Sequence, residues 1–130
     1  MTSCEITIRV RYSETTSNGF LHSANYLAYF EQGRTELGRT QGIIYRDLED
    51  QGFLLVLTRA DVVYHRPACY DDLLTLRTTI VRTTNVKIVH HYDLMRDGEL
   101  LAEGEVTLAC VDREGRVQLL PEALRRQDVA

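Results

Sequence analysis

Residues 23–42, SANYLAYFEQGRTELGRTQG, carry the longest helical pattern of the chain and decide the predicted fold. Charged and amide side chains fill one face of this pattern, which is typical of a helix packed on one side. Ser23 or Asn25 can act as the N-cap, and Gln41-Gly42 can end the helix. The pattern therefore predicts a helix of about four turns. The residues that recur at helical spacing on the other face are Tyr26, Leu27, Phe30, Arg34, Leu37 and Gly38.

The segments on either side of this helix alternate between polar and apolar residues, as half-buried strands do. Residues 5–12 form one such strand ahead of the helix. Four or five strands follow it, at residues 53–66, 73–84, 86–95, 100–111 and 117–120. Short turns join the later strands, with a hairpin signal at Asp97-Gly98, and residues 44–50 can add one helical turn. The order predicts an α+β fold in which an antiparallel sheet wraps around one long central helix.

The strand at residues 53–66 has apolar residues on both faces, at Leu54, Leu55, Val56 and Leu57. One helix can cover only one face of a sheet, so a second layer is needed, most simply another copy of the chain. We therefore expect a homodimer or a homotetramer. The pattern also predicts a single domain over residues 1–130, in which residues 122–130 form a polar tail.

Composition and motifs argue against several classes of function. The net charge of −4 disfavours nucleic acid as the main partner, and no apolar run is long enough to span a membrane. The N-terminal residues lack the features of a signal peptide, and three widely spaced cysteines are typical of reduced thiols in a cytoplasmic protein. His90 and His91 would point to opposite faces of a strand, so we expect no metal site. Motifs for nucleotide or dinucleotide cofactors are missing, and we predict no cofactor.

A polar loop at residues 13–19 leads into the helix and carries residue types that acyl transfer requires. Hydrolysis of a thioester needs a polarised carbonyl group, an attacking water and a thiolate that leaves. The N–H groups around Ser23 lie where the helix begins and can hold the carbonyl oxygen. Glu14 is a candidate general base, His22 a candidate base or orienting group, and Gly19 allows a sharp turn. The same residues also suit an ordinary loop before a helix, with Glu14 solvated and His22 as a cap.

The spacing of the loop and helix residues resembles that of a known family. The matching positions are Tyr12, Glu14, Gly19, His22, Asn25, Tyr26 and Arg34, and further on residues 64–74, 101–104 and 111–116. On these residues the chain resembles the 4-hydroxybenzoyl-CoA thioesterase-like family of hotdog-fold acyl-CoA thioesterases. It is most similar to the short-chain acyl-CoA thioesterases associated with the Tol-Pal system. The resemblance covers residues 6–121 and implies a hotdog fold, dimers that join their sheets, and an active site between subunits.

Thr16 stands where the family's usual loop has an Asp that acts as nucleophile or general base. Threonine is not an acid at any accessible pH, so that mechanism does not transfer. In one reading Glu14 replaces the Asp, since strand-like geometry would point Glu14 and Thr16 the same way. In a second, Thr16 or Asn18 positions the water while the Ser23 N–H polarises the carbonyl. This resembles the thioesterases of enediyne polyketide biosynthesis, whose helix arginine would match Arg34. In a third, the chain binds an acyl thioester without hydrolysing it.

The resemblance also implies a set of substrate-binding residues and a reaction. Loop and helix residues would surround the thioester, and basic residues on strands would contact the phosphates of CoA, although a solvated position is the ordinary alternative for them. The set is Tyr12, Gly19, Asn25, Tyr26, Arg59, Arg82 and Lys87. We predict a thioesterase that hydrolyses an acyl-CoA or acyl-carrier-protein thioester. A non-hydrolytic acyl-thioester binding protein and a hotdog dehydratase are the alternatives, in that order.

Overall fold

The computed structural model describes residues 2–126. In chain order the elements are strand β1 (Ser3–Arg9), a 3₁₀ turn (Tyr12–Glu14), helices α1 (Ala24–Thr40) and α2 (Tyr45–Asp50), strands β2 (Leu54–Tyr64), β3 (Leu73–Thr83), β4 (Lys87–Arg96) and β5 (Glu99–Val111), and helix α3 (Glu122–Arg125). The long helix and the strands after it lie where the sequence pattern predicts them. No helix within residues 2–126 has both the length and the apolar character needed to cross a membrane.

The strands form one antiparallel sheet in the order β1-β3-β4-β5-β2, so β1 and β2 are its edges. Helix α1 packs against one face of this sheet, which we call the inner face; the other is the outer face. Alternate side chains of β4 point inward and are buried, namely Ile88, His90, Tyr92 and Leu94. A sheet wrapped around one central helix confirms the predicted α+β hotdog fold.

Two glycines let α1 and the sheet approach each other closely. A Cβ atom at Gly33 would lie 2.3 Å from Thr78 Oγ1, and one at Gly104 would lie 2.6 Å from a ring carbon of Phe30. The Phe30 ring stacks on that of Tyr92 with 4.3 Å between the centroids. The middle of α1 is therefore fixed on the sheet, which also fixes where the helix begins.

An irregularity at Thr58 sets which side chains of β2 face the helix. Leu57 pairs with Leu108 and Arg59 with Thr107, so Thr58 is one extra residue in the strand. The inner positions are Leu55 and Leu57 before it, and Ala60, Val62 and Tyr64 after it. Apolar residues nevertheless remain exposed on both faces of this edge strand, at Val56, Leu57, Val63 and Tyr64.

The N-terminal half departs from the sequence prediction at two points. Strand β1 ends at Arg9 rather than at residue 12, because the Val10 N–H and carbonyl bind the turn that precedes β3. The next residues form the 3₁₀ turn Tyr12–Glu14 instead of extended chain. Ser23 occupies the N-cap position of α1, but its side chain makes no capping hydrogen bond, and Asn25 lies inside the helix.

The C-terminal part departs from the prediction as well. Residues 117–120, predicted as a strand, make only one bridge, from Val117 to Val111. The polar tail predicted over residues 122–130 is wrong in its first half, which is helix α3. Leu124 of this helix is buried in a second apolar cluster with Ile43, Cys110 and Leu120, and this burial explains the helix. The remaining tail residues, 127–130, lie outside the described residues.

Candidate active site

The backbone of Glu14 joins the polar loop to the start of α1. Its carbonyl oxygen accepts hydrogen bonds from the His22 N–H at 2.9 Å and from Asn25 Nδ2 at 2.8 Å. Both donors belong to the segment in which the helix begins. The Asn25 side chain, predicted to cap the helix or contact the substrate, thus fastens the loop to the first helical turn.

The Glu14 carboxylate is also fully engaged. Its Oε1 accepts hydrogen bonds from the Arg11 N–H at 2.8 Å and the Tyr29 hydroxyl at 2.7 Å, and the Arg11 guanidinium lies 3.5 Å from Oε2. Partial burial alone would raise the pKa of this carboxyl, but these hydrogen bonds and the Arg11 charge hold its pKa below the ordinary value. Because Tyr12–Glu14 is a 3₁₀ turn, strand geometry does not align Glu14 with Thr16 as expected.

Thr16 begins a tight turn that closes at Gly19. The Gly19 N–H donates to the Thr16 carbonyl at 2.9 Å, and the Thr16 N–H donates to the Phe20 carbonyl at 2.8 Å. Gly19 has a φ of 81°, a conformation that side chains disfavour. The Asn18 N–H lies 3.4 Å from Thr16 Oγ1, and Asn18 is exposed whereas Thr16 is half-buried. The turn therefore brings the Thr16 hydroxyl close to the backbone of Asn18.

The start of α1 presents an unpaired backbone donor. His22 Nδ1 accepts a hydrogen bond from the Ala24 N–H at 3.1 Å, so the imidazole caps the helix. The His22 carbonyl accepts one from the Asn25 N–H at 2.9 Å. Within residues 2–126, the N–H of the exposed Ser23 has no hydrogen-bond partner. This N–H is free to bind a carbonyl oxygen at the positive end of the helix dipole.

A shallow cavity of about 260 Å³ lies beside Ser23. The buried ring of Tyr26 meets the Tyr64 ring edge to face there, with 4.8 Å between the centroids. A thioester carbonyl bound at Ser23 would have this mostly apolar surface next to it. The lining residues are Leu21, Ser23, Tyr26, Tyr64, His65, Arg66 and Pro67.

Of the predicted site residues, Ser23 and Tyr26 line this cavity, whereas Thr16 and Asn18 do not, and Tyr12 and Arg34 lie elsewhere. Tyr12 is 76% exposed and packs edge to face on Tyr70, with 5.4 Å between the ring centroids. Arg34 lies about 16 Å from Ser23 along the helix axis, at 1.5 Å per residue. It lines a second cavity, of about 250 Å³, between α1, α2 and β2. Within one chain, Arg34 and Ser23 are therefore not brought together.

The three basic residues predicted to contact phosphates lie together on the outer face. Arg59, Arg82 and Lys87 line a hollow of about 570 Å³ with Asp61 and Glu105. The Arg59 Nε donates a 2.9 Å hydrogen bond to Asp61 Oδ2, which neutralises part of the positive charge. The sheet separates this hollow from the helix start of the same chain.

Three residues that frame the site were not assigned to it from the sequence. Tyr64 and His65 line the cavity beside Ser23, and Tyr29 holds the Glu14 carboxylate. Tyr29 is buried on the apolar face of α1. A buried tyrosine hydroxyl needs a hydrogen-bond partner. A tyrosine on the apolar face of the helix could therefore have indicated that a polar group packs against it.

The sequence matches known proteins over nearly its whole length. Residues 10–127 match a family model described as the thioesterase-like superfamily. The chain is 31% identical over 124 residues to the acyl-CoA thioester hydrolase YbgC of Escherichia coli, covering 95% of this chain and 90% of that protein. It is 34% identical over 106 residues to the acyl-CoA thioesterase YbgC of Haemophilus influenzae, covering 81% and 78%.

Solved structures have the same fold. The DHNA-CoA thioesterase from Staphylococcus aureus matches with a TM-score of 0.89 and 26% identity, over 92% of this chain and 82% of that chain. A protein from Aquifex aeolicus matches with a TM-score of 0.88 and 26% identity, over 93% and 95%. The family model spans most of the chain, and its relatives agree with it. This chain therefore belongs to the thioesterase-like superfamily.

Proposed function

We propose that the protein hydrolyses acyl-CoA thioesters. The observation that carries the proposal is the unpartnered Ser23 N–H in the first turn of α1, beside a cavity with mostly apolar walls. The relative in E. coli is named an acyl-CoA thioester hydrolase, and the structure from S. aureus is that of a DHNA-CoA thioesterase. These names favour hydrolysis over the alternative of binding alone.

In the proposed reaction, the Ser23 N–H donates to the carbonyl oxygen of the thioester, and the helix dipole adds positive potential there. Water attacks the carbonyl carbon and passes a proton to the surrounding solvent, and the carbonyl oxygen becomes an oxyanion held by the same N–H. The carbonyl then re-forms as the carbon–sulfur bond breaks, which releases the acid and the CoA thiolate. One such donor typically contributes about 10²–10³-fold to turnover.

Thr16 and Asn18 are the proposed ligands of the attacking water, with Glu14 in support. The Glu14 carboxylate already binds Arg11 and Tyr29, and its lowered pKa makes it a weak proton acceptor. On the resemblance, Thr16 replaces an Asp that serves as base. Because the loss of a general base costs about 10²–10⁴-fold, the enzyme is expected to be slow.

The proposed working form contains two copies of the chain, paired through β2. This strand is an edge of the described sheet, is 11 residues long and contains no proline. Exposed apolar side chains on an unpaired edge are typical of a strand that pairs with another copy. The residues concerned are Val56, Leu57, Val63 and Tyr64, which are 41–54% exposed.

A two-fold axis at Ala60 gives a register that matches both charge and apolar character. Thr58 is left out of the pairing in both strands because it is an extra residue. Side chains that lie opposite each other are then on the same face of the sheet. The opposite pairs are then Arg59 with the partner's Asp61, Val63 with the partner's Val56, and Tyr64 with the partner's Leu55. Cross-strand pairs of opposite charge or of apolar side chains stabilise a sheet. This register therefore supports an antiparallel pairing of two β2 strands.

Arg59, Arg82 and Lys87 are predicted to contact the phosphates of CoA, but their hollow opens on the outer face, so in the proposed dimer it lies across the sheet from both Ser23 sites. It holds three cations against the two carboxylates of Asp61 and Glu105, which leaves a local positive charge. An acyl carrier protein stays an alternative source of the acyl group. We also propose a cytoplasmic location, because the three cysteines are free thiols, as a reducing compartment allows.

The test of the proposed activity is a thiol-trapping assay on the purified protein, with a panel of acyl-CoA and acyl-carrier-protein thioesters. The variants Ser23→Pro and Ser23→Ala separate the backbone donor from the side chain. Proline removes the N–H and fits the φ of −55° at this position, whereas alanine keeps the N–H. We expect kcat of Ser23→Pro to fall about 10²–10³-fold below that of Ser23→Ala.

Circular dichroism spectra and unfolding midpoints should be similar for the two variants. Equal kcat values in two folded variants would refute the role of the Ser23 N–H. Absence of turnover by the wild type on every substrate, with measurable binding, would refute the proposed hydrolysis and favour the binding protein.

A further inference from the structure

The second cavity, around Arg34, has no role in the hydrolysis described so far. It is about 250 Å³ in volume and lies between α1, α2 and β2. Its polar lining includes the half-buried Arg34, Thr35 and Tyr45 and two exposed carboxylates, which are considered below. Its apolar lining consists of Leu48, Phe53, Leu55 and Leu108. The cavity thus combines a slot for methylene groups with hydrogen-bond donors.

Buried polar groups without well-formed hydrogen bonds lie close to Arg34. The His90 Nδ1 has no hydrogen-bond partner among residues 2–126, and the Tyr92 hydroxyl approaches the Arg34 side chain without a well-formed hydrogen bond, although both residues are at most 1% exposed. Burial and the nearby Arg34 charge lower the pKa of His90 to about 3, so the imidazole is neutral. Burial raises the pKa of Tyr92 to about 12 and that of Tyr45 to about 12. Unpaired groups of this kind are rare in protein interiors and call for a reason.

In the proposed dimer, this cavity of one protomer meets the Ser23 cavity of the other. Tyr64 lines the Ser23 cavity, and Leu55 lines the Arg34 cavity. The β2 register places Tyr64 opposite the partner's Leu55, about 4.8 Å away, at one strand spacing. Both side chains lie on the inner face, and a two-fold axis perpendicular to the sheet keeps the two inner faces on the same side. The two cavities therefore join into one groove.

We propose that an acyl group bound at Ser23 extends into the partner's cavity, where the partner's Arg34 and Tyr45 bind an oxygen at its far end. The substrates are then medium-length acyl thioesters that end in a hydroxyl or a carboxylate. A guanidinium group suits such an oxygen because it offers several donors in a fixed plane. This inference rests on the proposed hydrolysis and dimer, and it assigns the substrate class of that site.

Two carboxylates in the same cavity do not cancel the charge of Arg34. Glu31 and Glu49 also line it, but both are exposed, so water screens them. Arg34 is half-buried and lies near the neutral His90 and Tyr92. A terminal oxygen that reaches Arg34 and Tyr45 would therefore meet hydrogen-bond donors.

The first experiment compares kcat/KM for acyl-CoAs of equal length, namely hexanoyl-CoA, ω-hydroxyhexanoyl-CoA and adipoyl-CoA. We expect the wild type to favour at least one oxygen-terminated substrate by about tenfold or more, since one good hydrogen bond to a charged group has that effect. The measured ratio is kcat/KM for the oxygen-terminated substrate divided by kcat/KM for hexanoyl-CoA. Arg34→Met should bring this ratio close to one, and Tyr45→Phe should lower it partly. Arg39→Met is the matched control, because Arg39 is exposed on the same helix and binds Glu36; its ratio should equal that of the wild type.

The second experiment tests whether Arg34 acts across the dimer. Differently tagged Arg34→Met and Ser23→Pro chains are co-expressed, and the mixed dimers are purified through both tags. Such a dimer has one site with an intact Ser23 and an intact Arg34 only if the two residues come from different chains. We therefore expect the mixed dimer to recover the substrate ratio of the wild type.

The outcomes separate the inference from the proposed hydrolysis. If all three acyl-CoAs are hydrolysed with equal kcat/KM, or if the mixed dimer keeps the flat ratio of Arg34→Met, the inference is overturned and the hydrolysis stands. A monomeric wild type would overturn it too. If nothing is hydrolysed, calorimetry with non-hydrolysable thioether analogues of the same three compounds applies. Tighter binding of an oxygen-terminated analogue, abolished by Arg34→Met, would then support the inference, and equal affinities would overturn it.

Discussion

The Tyr29 hydroxyl donates a 2.7 Å hydrogen bond to Oε1 of Glu14, and so connects the polar loop to a buried position in α1. Burial and the neighbouring Glu14 carboxylate raise the pKa of this hydroxyl, so Tyr29 remains a donor over the whole working pH range. The contact fixes the turn that begins at Thr16 relative to the Ser23 N–H. Loop geometry therefore depends on a side chain that never reaches the substrate.

Tyr29→Phe should lower both stability and turnover. Removal of a hydrogen bond to a charged group typically costs about 1.5–3 kcal/mol, and the freed carboxylate would loosen the loop. We expect that loss in the free energy of unfolding, measured with urea, together with a fall in kcat. Tyr70→Phe, at an exposed tyrosine, serves as control. Unchanged stability and kcat in Tyr29→Phe would contradict the role given to this contact.

The Glu14 carboxylate should also contribute to the pH dependence of stability. The folded pKa of Glu14 lies below its ordinary value of 4.5, so the folded state favours the ionised form. The ionised Glu14 therefore raises the free energy of unfolding above pH 4.5. This contribution is lost as the pH falls through the lower pKa of the folded state. Urea unfolding at a series of pH values should show a shallower acid-side decline for Glu14→Gln than for the wild type. Identical slopes would mean that the pKa of Glu14 does not change on folding.

Thr16→Asp should raise turnover if the loop otherwise matches that of its relatives. On the resemblance, a carboxylate at this position would act as a general base, an effect worth about 10²–10⁴-fold. Ser17→Asp is the matched control, because it adds the same charge one residue away, at an exposed position of the same turn. A similar rise in kcat for both variants would point to a general effect of charge instead.

Val63→Lys should separate the two copies of the chain. Its side chain is 54% exposed on the outer face of β2 and lies opposite the partner's Val56 in the proposed register. A charge there disfavours strand pairing. We expect a monomer in analytical ultracentrifugation and loss of turnover, whereas Val117→Lys, at a site that is 64% exposed, should behave like the wild type. A monomeric variant with full turnover would show that one chain suffices.

Gly33→Ala should destabilise the fold. The new Cβ atom would lie 2.3 Å from Thr78 Oγ1 and 2.8 Å from a methyl carbon of Leu76, so α1 would have to move off the sheet. Overpacking of this kind typically costs about 1–3 kcal/mol. Gln32→Ala, at an exposed position of the same helix, is the control and should not lose stability. Thermal unfolding of both variants is the measurement.

The periodic elements could be predicted from the sequence because their patterns are local. Helix α1 and strands β3 to β5 follow the spacing of their buried residues. The end of β1 could not be predicted, since residues 10–12 continue the alternation while Val10 binds the distant turn at Asp72. The helix at Leu124 was missed because a single leucine in a short, mostly polar segment shows no helical periodicity.

The sequence could locate the start of α1, where the site is proposed, but not the contacts around it. The free Ser23 N–H follows from the start of a helix, which a sequence pattern can locate. The partners of Glu14 include Tyr29, 15 residues away, and only the folded chain brings them together. Arg34 matched a family position, yet the helix carries it far from Ser23 of the same chain. A sequence shows which residues are present, but it does not show which subunit supplies them.

The extra residue at Thr58 also limits how this protein can evolve. Substitutions along β2 change one side chain at a time, whereas gain of a residue between Leu57 and Arg59, or loss of a neighbouring residue in addition to Thr58, would turn half of the strand over. Tyr64 would then leave the wall of the Ser23 cavity. Homologues that keep this site should therefore tolerate many exchanges along the strand but few changes in its length. Insertions are better accommodated in the loops that join the strands, because side chains in loops do not alternate between two faces.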